Sequence, residues 1–322
     1  MTIGAQDFGH RIEPFRTELV AYCYRMLGSS HDAEDLVQDT YLRAWRAREQ
    51  YDAARSSLRT WLYRIATNVC LTALETRTRR PLPSGLVPAS EPLGPLVHGG
   101  ERTWLQPLPD ALLDPGDPAH AVVDRSSLRL VLAGALQRLS ARERGAVILR
   151  DLLGFSAAEA AQVLGTTVAS ITSSLQRGRA RLREAGVRDD LREPSGAEQR
   201  AWLDRYMRAF EQADVPGLTQ MLTDDVIMEM PPMVNWFTGP RSYGQFMSWV
   251  FDVGGTDWQL TQVAANGQPG FAAYRRAEDG YELHTLQILT VTADGISRNT
   301  VFQEPEVLAS FGLATRLGAR AG

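Results

Sequence analysis

The side chains best able to do chemistry here are short hydrogen-bonding residues and arginines at helical spacing. Between Ser156 and Arg183 the chain reads as two helices separated by Gly165-Thr166-Thr167. Ser156-Ala-Ala-Glu159 fits a capping box, in which hydroxyl and carboxylate reciprocally satisfy free amides. A helix, a tight glycine-containing turn and a second helix make the helix-turn-helix pattern. The spacing predicts the second helix over Val168–Arg183, with Val168, Ile171, Leu175 and Leu182 facing inward. Thr167, Ala169, Ser170, Ser173, Ser174 and Arg177 then face outward. Arg179, Arg181 and Arg183 follow toward the C-terminus, where they also suit the helix dipole. Such a face hydrogen-bonds base edges in the major groove while guanidiniums neutralise phosphates. A solvated face on a helical hairpin is the plainer alternative. Capping, turn and outer face argue independently against it.

Two further surfaces lie nearer the N-terminus. Trp61, Arg64 and Asn68 recur at i, i+3, i+7, opposite Leu62, Ile65 and Val69. An aromatic, a cation and an amide aligned this way stack on and hydrogen-bond unstacked bases. Arg77, Arg79 and Arg80 lie just beyond and are suited to backbone phosphates; the competing reading makes Trp61 core. The third surface is the stripe Asp32, Asp35, Asp39 with Leu42 between the charges, either a partner site or an ordinary solvated face. In the C-terminal third, Met207, Met221, Met228, Met230, Met233 and Met247 accompany Trp202, Trp236, Trp249 and Trp258. These suit an adaptable apolar pocket or an ordinary core equally. His284, Glu229 and Asp225 are the acid–base candidates there, but no spacing fixes their mutual geometry.

The elements that must position these residues change along the chain. Ala33, Leu36, Val37, Thr40, Tyr41, Ala44 and Trp45 follow the spacing of one buried helix face. Gly28 ends the preceding helix, and Ser29 or Ser30 caps the new one. Nine of the 17 prolines fall within residues 81–120, where missing backbone donors and restricted neighbours predict a linker. Inside it, Trp104-Leu105-Gln106-Pro107-Leu108-Pro109-Asp110 is apolar enough to dock. Ser140-Ala-Arg-Glu143 and Ser195-Gly-Ala-Glu198 are further capping boxes. The helix after Ser195 buries Trp202, Leu203, Tyr206, Met207 and Phe210. Strands are expected at Val226–Met230, Trp258–Ala264, Phe271–Arg275, Leu283–Thr292 and Ile296–Phe302, with a helix at Ser242–Phe251. A leading helix followed by strands implies an α+β domain.

Composition sets the outer bounds. The 322 residues are 44% hydrophobic and 22% charged, which excludes collagen-like and disordered chains. The formal charge of −4 divides unevenly: 12 Arg against 10 acids over 1–80, and 1 against 5 over 81–120. Residues 121–193 carry 12 against 8, and 194–322 carry 9 against 15. The two helical stretches are therefore net basic and the C-terminal third acidic. All 34 basic residues are Arg, which suits bidentate phosphate contacts, although genomic codon bias explains the loss of Lys. Two cysteines without metal spacing imply neither a disulfide framework nor a zinc site. No signal peptide or membrane-length apolar run is recognisable. The expectations are a cytoplasmic location, no membrane, no metal and no cofactor.

These motifs resemble a known family. Asp32-Ala-Glu-Asp-Leu-Val-Gln-Asp-Thr-Tyr-Leu-Arg-Ala-Trp45 resembles region 2.2 of bacterial sigma-70-type factors of the extracytoplasmic-function (ECF) group. Leu58-Arg-Thr-Trp-Leu-Tyr-Arg-Ile-Ala-Thr-Asn68 resembles regions 2.3 and 2.4, and 139–183 resembles regions 4.1 to 4.2. The C-terminal third is similar to the SnoaL-like, ketosteroid-isomerase-type cone of some such factors. Ala213-Asp-Val-Pro-Gly-Leu-Thr-Gln-Met-Leu-Thr-Asp-Asp225, Ala265-Asn-Gly-Gln-Pro-Gly270 and Phe311-Gly-Leu313 carry that likeness, and the linker is similar to the sigma-G-like subgroup. The resemblance implies two all-α domains, 1–80 and 121–190, joined by the 81–120 linker and followed by an α+β cone at 195–322. It implies that Asp35, Leu36, Val37, Gln38, Asp39 and Leu42 meet the β′ clamp helices of RNA polymerase core, whose β subunit is a further partner. Tyr51, Arg55, Trp61, Arg64, Asn68, Arg77, Arg79 and Arg80 fall to the −10 element, together with the rest of the stretch Tyr51–Arg59. Thr167, Ser170, Ser173, Ser174, Arg177, Arg179 and Arg181 fall to the −35 element of promoter DNA. A small ligand, or intramolecular docking, is implied for the cone. The expected function is promoter-specific transcription initiation without catalytic residues. A ligand-responsive helix-turn-helix regulator and a SnoaL-type enzyme with a regulatory appendage are the alternatives.

Overall fold

A computed structural model describes residues 5–76, 79–113, 125–185 and 194–318. The chain forms two compact units. One comprises Met1–Pro81 with Leu105–Arg188, the other Leu82–Trp104 with Asp189–Gly322.

The first unit is helical. Helices α1 (Ala5–Ile12), α2 (Arg16–Leu27), α3 (Ser30–Arg46) and α4 (Leu58–Thr76) form its N-terminal bundle. Helix α2 is buried almost all round, with Leu19, Val20, Tyr22, Cys23, Tyr24 and Met26 excluded from solvent. Gly28, at φ 72°, closes α2 in the left-handed conformation that side chains disfavour. Leu105 and Gln137 also press against its open side. Ser29 then caps α3 by accepting from the Asp32 amide at 3.2 Å. The stripe expected on α3 is buried at Ala33, Val37, Thr40 and Ala44. Trp45 departs from it: at the helix end its ring is 39% exposed, edge-on to Phe8 and beneath Arg48.

Helices α5 (Leu130–Leu136), α6 (Ala141–Val147, continued by a π turn over Ile148–Leu152), α7 (Ala157–Val163) and α8 (Val168–Glu184) complete this unit. The boxes at Ser140/Glu143 and Ser156/Glu159 both form. Helix α8 buries Ile171, Ser174, Leu175 and Gly178. Two outward/inward expectations are thereby corrected. Val168 occupies the first turn, beyond the reach of the core, and is 47% exposed. Ser174 is buried because the Gly178 backbone lets α8 approach Val147 closely. The two halves of the unit pack through Phe155: its ring lies 5.0 Å from Tyr63, with the Arg59 guanidinium over it at 4.4 Å. Arg25 donates to Ser127, and Arg144 to the Met26 carbonyl.

The second unit is the α+β cone. Helix α9 (Gly196–Glu211) starts at the third capping box, Ser195/Glu198. Helix α10 (Val215–Thr219) and strand β1 (Leu222–Glu229) follow, then β2 (Trp236–Thr238) and α11 (Gly239–Gly254). The sheet continues with β3 (Trp258–Ala265), β4 (Gln268–Ala277), β5 (Gly280–Thr292) and β6 (Gly295–Phe302). The short helix α12 (Pro305–Ala309) and β7 (Arg316–Leu317) end the described chain. Strand order is β2-β1-β6-β5-β4-β3, with β7 beside β5. The β1–β6 pair is parallel and the others antiparallel. Leu203, Tyr206 and Phe210 of α9 and Tyr243, Phe246 and Met247 of α11 fill the core against Phe271, Leu289 and Val301. The expected strands all form; β2 and β7 are too short to announce themselves by alternation.

Residues 82–104 belong to this cone unit and run along the turn between β1 and β2. Ser90 and Gly99 amides donate to the Trp236 and Pro232 carbonyls at 2.8 and 2.9 Å, and Val234 donates to Val97 at 2.9 Å. Asn235 accepts from the Val97 amide and donates to Ser90 and the Pro95 carbonyl. Trp236 Nε1 donates to Val87. Trp104 is buried over Gly99, where an added Cβ would overlap the indole. The proline-rich segment is thus bonded rather than free, since the turn supplies partners for the amides its prolines leave available. The apolar docking motif is divided: Trp104 lies in the cone unit, whereas Leu105 and Leu108 are buried in the helical unit.

Candidate nucleic-acid interface

On α3 the acidic face is narrower than expected. Asp35 faces solvent and lies 3.5 Å from His31, while Asp39 pairs with Arg43 at 3.0 Å. Gln38 is exposed, Leu42 is 57% exposed, and Leu36 is half-buried. Val37 has no exposure and so offers nothing to a partner. Asp32 also leaves the stripe: it is buried and paired with Arg80 at 2.9 Å. Val37 lies on the buried stripe of Ala33, Thr40 and Ala44, and Asp32 adjoins that stripe in the first turn of the helix.

The α4 surface brings Tyr51 and Trp61 together, with ring centroids 5.3 Å apart. Trp61 is half-buried against Phe8, so it serves the core and the surface at once. Arg64 and Asn68 follow it on the exposed side, and Arg55 and Arg79 are exposed. Arg80 is drawn away from phosphates by its ion pair with Asp32. Arg59 bonds Glu18 at 3.0 Å and covers the rings of Tyr63 and Phe155. Arg77 lies outside the described residues.

On α8 the arginines turn back toward their own unit. Arg177 donates to Glu143 at 3.0 Å, and Arg181 reaches the same carboxylate. Arg179 makes a two-pronged contact with Asp151 at 2.9 and 2.6 Å. Burial pushes the Glu143 carboxyl up, but the Ser140 amide and hydroxyl and the Arg177 and Arg181 guanidiniums outweigh it, leaving it below its ordinary value. Thr167 uses its hydroxyl as the helix cap, accepting from the Ser170 amide at 3.2 Å. Ser170 is half-buried and Ser173 exposed. Thr172 and Gln176, which the sequence reading passed over, are exposed beside Ser173. Their signal was the i, i+4 step from Val168, hidden by assigning Val168 inward. The polar face that remains open at the start of α8 is short, uncharged and hydrogen-bonding.

In the cone the acid–base candidates have separate partners. Glu229 is fully buried, paired with Arg298, and accepts from the Ser84 amide and hydroxyl. His284 packs at 5.6 Å on Trp258, and burial, then Arg275, hold its pKa below the usual value. Asp225 is exposed and accepts from Thr223. Tyr206, Tyr243, Asn299 and Gln287 form a buried hydrogen-bonded chain between the helices and sheet.

A helix-turn-helix, a separate aromatic–cationic helix face and an appended α+β cone define a multidomain transcription protein. Residues 12–80 match sigma-70 region 2, 129–182 match sigma-70 region 4, and 203–299 match the SnoaL-like domain. The ECF RNA polymerase sigma factor SigG of Mycobacterium tuberculosis is 45% identical over 317 residues, 97% of this chain and 85% of that one. SigJ of the same species is 29% identical over 292 residues, 87% of this chain and 86% of that protein. The crystal structure of SigJ shares the fold, with a TM-score of 0.63 at 24% identity, over 95% of this chain and 100% of that one. The chain belongs to the ECF sigma factors of the sigma-70 family, and its function is promoter-directed transcription initiation. The relatives are named as sigma factors rather than enzymes. Among the described residues, no helix is long and apolar enough to cross a membrane.

Proposed function

We propose that this sigma factor carries its own regulator, the cone, which acts by holding the 82–104 segment. The single observation that supports this is the bonding of that segment to the β1–β2 turn and to Glu229. An extended chain spans about 3.3–3.6 Å per residue. Holding these 23 residues therefore withdraws roughly 76–83 Å of reach from the connection between the two promoter readers. Release of the segment restores it. The protein acts in the cytoplasm, where core polymerase and promoter are found, and the cone needs no catalytic residues for this role. Of the two further partners expected, a small ligand and the linker, the hydrogen bonds favour the linker.

On the helical unit, Asp35, Gln38, Asp39 and Leu42 dock the β′ clamp helices, with the β subunit contacting the protein elsewhere. Tyr51, Arg55, Trp61, Arg64, Asn68 and Arg79 take the unpaired −10 strand, and the first turns of α8 read the −35 element. Arg177, Arg179 and Arg181 reach phosphates or bases by exchanging Glu143 and Asp151 for DNA. Run-off transcription with purified core polymerase, comparing the full chain with residues 1–190, tests the regulator. The expected result is a substantial change in transcript yield, in the same direction for Trp104→Ala. Equal yield from all three proteins overturns it.

A further inference from the structure

Cys23 and Cys70 are the protein's two cysteines. They lie on α2 and α4, have no solvent exposure, and bring their Sγ atoms to 3.6 Å. A disulfide has an S–S bond of about 2.05 Å, so the atoms must close by roughly 1.5 Å. The seam around them is already aligned: Tyr22 Oη lies 2.7 Å from Thr67 Oγ1, and the Tyr22 ring meets Tyr63 edge-on at 5.0 Å. Cys70 also feels the buried guanidinium of Arg144 on α6. Burial, and then Arg79, push Arg144 down to about 10, while Cys70 acts in the opposite direction. Arg144 is thus a cation on the Cys70 side of the pair, and a thiolate is the form of cysteine that attacks a peroxide.

We propose that this pair is a redox-sensitive modification site, forming a reversible Cys23–Cys70 disulfide when the protein meets a peroxide. The Cys70 thiolate attacks one peroxide oxygen, the O–O bond breaks, and a sulfenic acid and one water result. Cys23 then attacks that sulfur, releasing a second water and leaving the S–S bond. Two thiols and one hydrogen peroxide become one disulfide and two waters. In a reducing compartment such bonds are transient and sense oxidant rather than support the fold. The bond would staple α2 to α4, whose opposite side presents Arg64 and Asn68, so oxidation resets the helix that carries the −10 face.

The test treats the full-length protein with hydrogen peroxide, removes the oxidant, and alkylates the remaining thiols under denaturing conditions. The expected protein is two hydrogens lighter, takes no alkyl group, yields a Cys23–Cys70 linked peptide, and reverts with dithiothreitol. Cys23→Ser should leave Cys70 as a dimedone-reactive sulfenic acid, and Cys70→Ser should leave Cys23 reduced. Run-off yield should respond to prior oxidation in the wild type and in neither variant. Full alkylation of both thiols, under peroxide that oxidises a free thiol in the same tube, would make them inert core residues and overturn the proposal. Bonds found only between molecules would also overturn it.

Discussion

Ser84 gives both its backbone amide and its hydroxyl to one oxygen of Glu229, at 3.2 and 2.7 Å, across 145 residues of sequence. The other carboxylate oxygen holds Arg298, so a single buried anion joins the proline-rich segment to the sheet. Removing one member of a buried charge pair costs about 3–5 kcal/mol, whereas losing a hydrogen bond to a charged group costs about 1.5–3. Glu229→Ala should therefore lower the melting temperature of the cone markedly. Ser84→Ala should leave the cone folded yet speed protease cleavage within 82–104. Unchanged cleavage of that variant would show that Ser84 does not hold the segment.

Asp39→Arg combined with Leu42→Ala should abolish retention of core polymerase while the helical unit keeps its circular dichroism. Both side chains lie outside the core, Leu42 most clearly. The arginine introduced at 39 faces Arg43 four residues on, a like-charge pair worth only about 0.2–0.5 kcal/mol against the helix. Undiminished pull-down of core would remove α3 from the interface.

For α8 the structure redirects mutagenesis. Gln176 stands open beside Ser173, so Gln176→Ala should lose about 1–3 kcal/mol of discrimination at one base-pair position. Arg177 is committed to Glu143, and Arg177→Ala should weaken all −35 sequences alike and reduce the salt slope by about 1. Binding to a library of −35 variants separates the two. A position-specific profile for Arg177→Ala would return direct readout to that arginine.

His284 gives a pH signature for the cone. Its folded pKa lies below the usual value, mainly through burial, so the unfolded chain binds the proton more readily. Stability is then intact above about pH 6.5 and declines as pH falls from there toward the folded pKa. Melting of the cone should follow that slope, and His284→Phe should flatten it. An NMR titration of His284 with a midpoint above the model-peptide value would reverse the sign.

What was legible in the sequence was whatever local geometry dictates. The three Ser-x-x-Glu boxes form as read, because capping involves only residues within one turn. The strands of the cone follow from the same local patterning. Partner choice across long separations was not legible. Arg80 on Asp32 and Arg177 on Glu143 are set by how helices pack, and no spacing announces them. The division of Trp104 from Leu105 belongs to this class too, since an apolar motif states that it will dock but not on what.

Phe155 is the place where the two helical halves can be loosened with one substitution. Its ring is 2% exposed, contacts Tyr63, and lies under the Arg59 guanidinium, which also donates to Glu18. Truncating a buried phenylalanine costs about 3–5 kcal/mol, here drawn from the contact between α4 and the residues leading into α7. Arg59, in the first turn of α4, would lose its aromatic cover on one side. Phe155→Ala should therefore increase the radius of gyration in small-angle scattering while helix content stays constant. Phe155→Leu should do so less, because it restores bulk without the ring face that attracts the cation. Affinity for a −10 single strand should rise with the opening, as Arg59 becomes available to phosphate. If both variants scatter like the wild type and bind the strand no better, the Phe155 contact does not restrain the −10 surface.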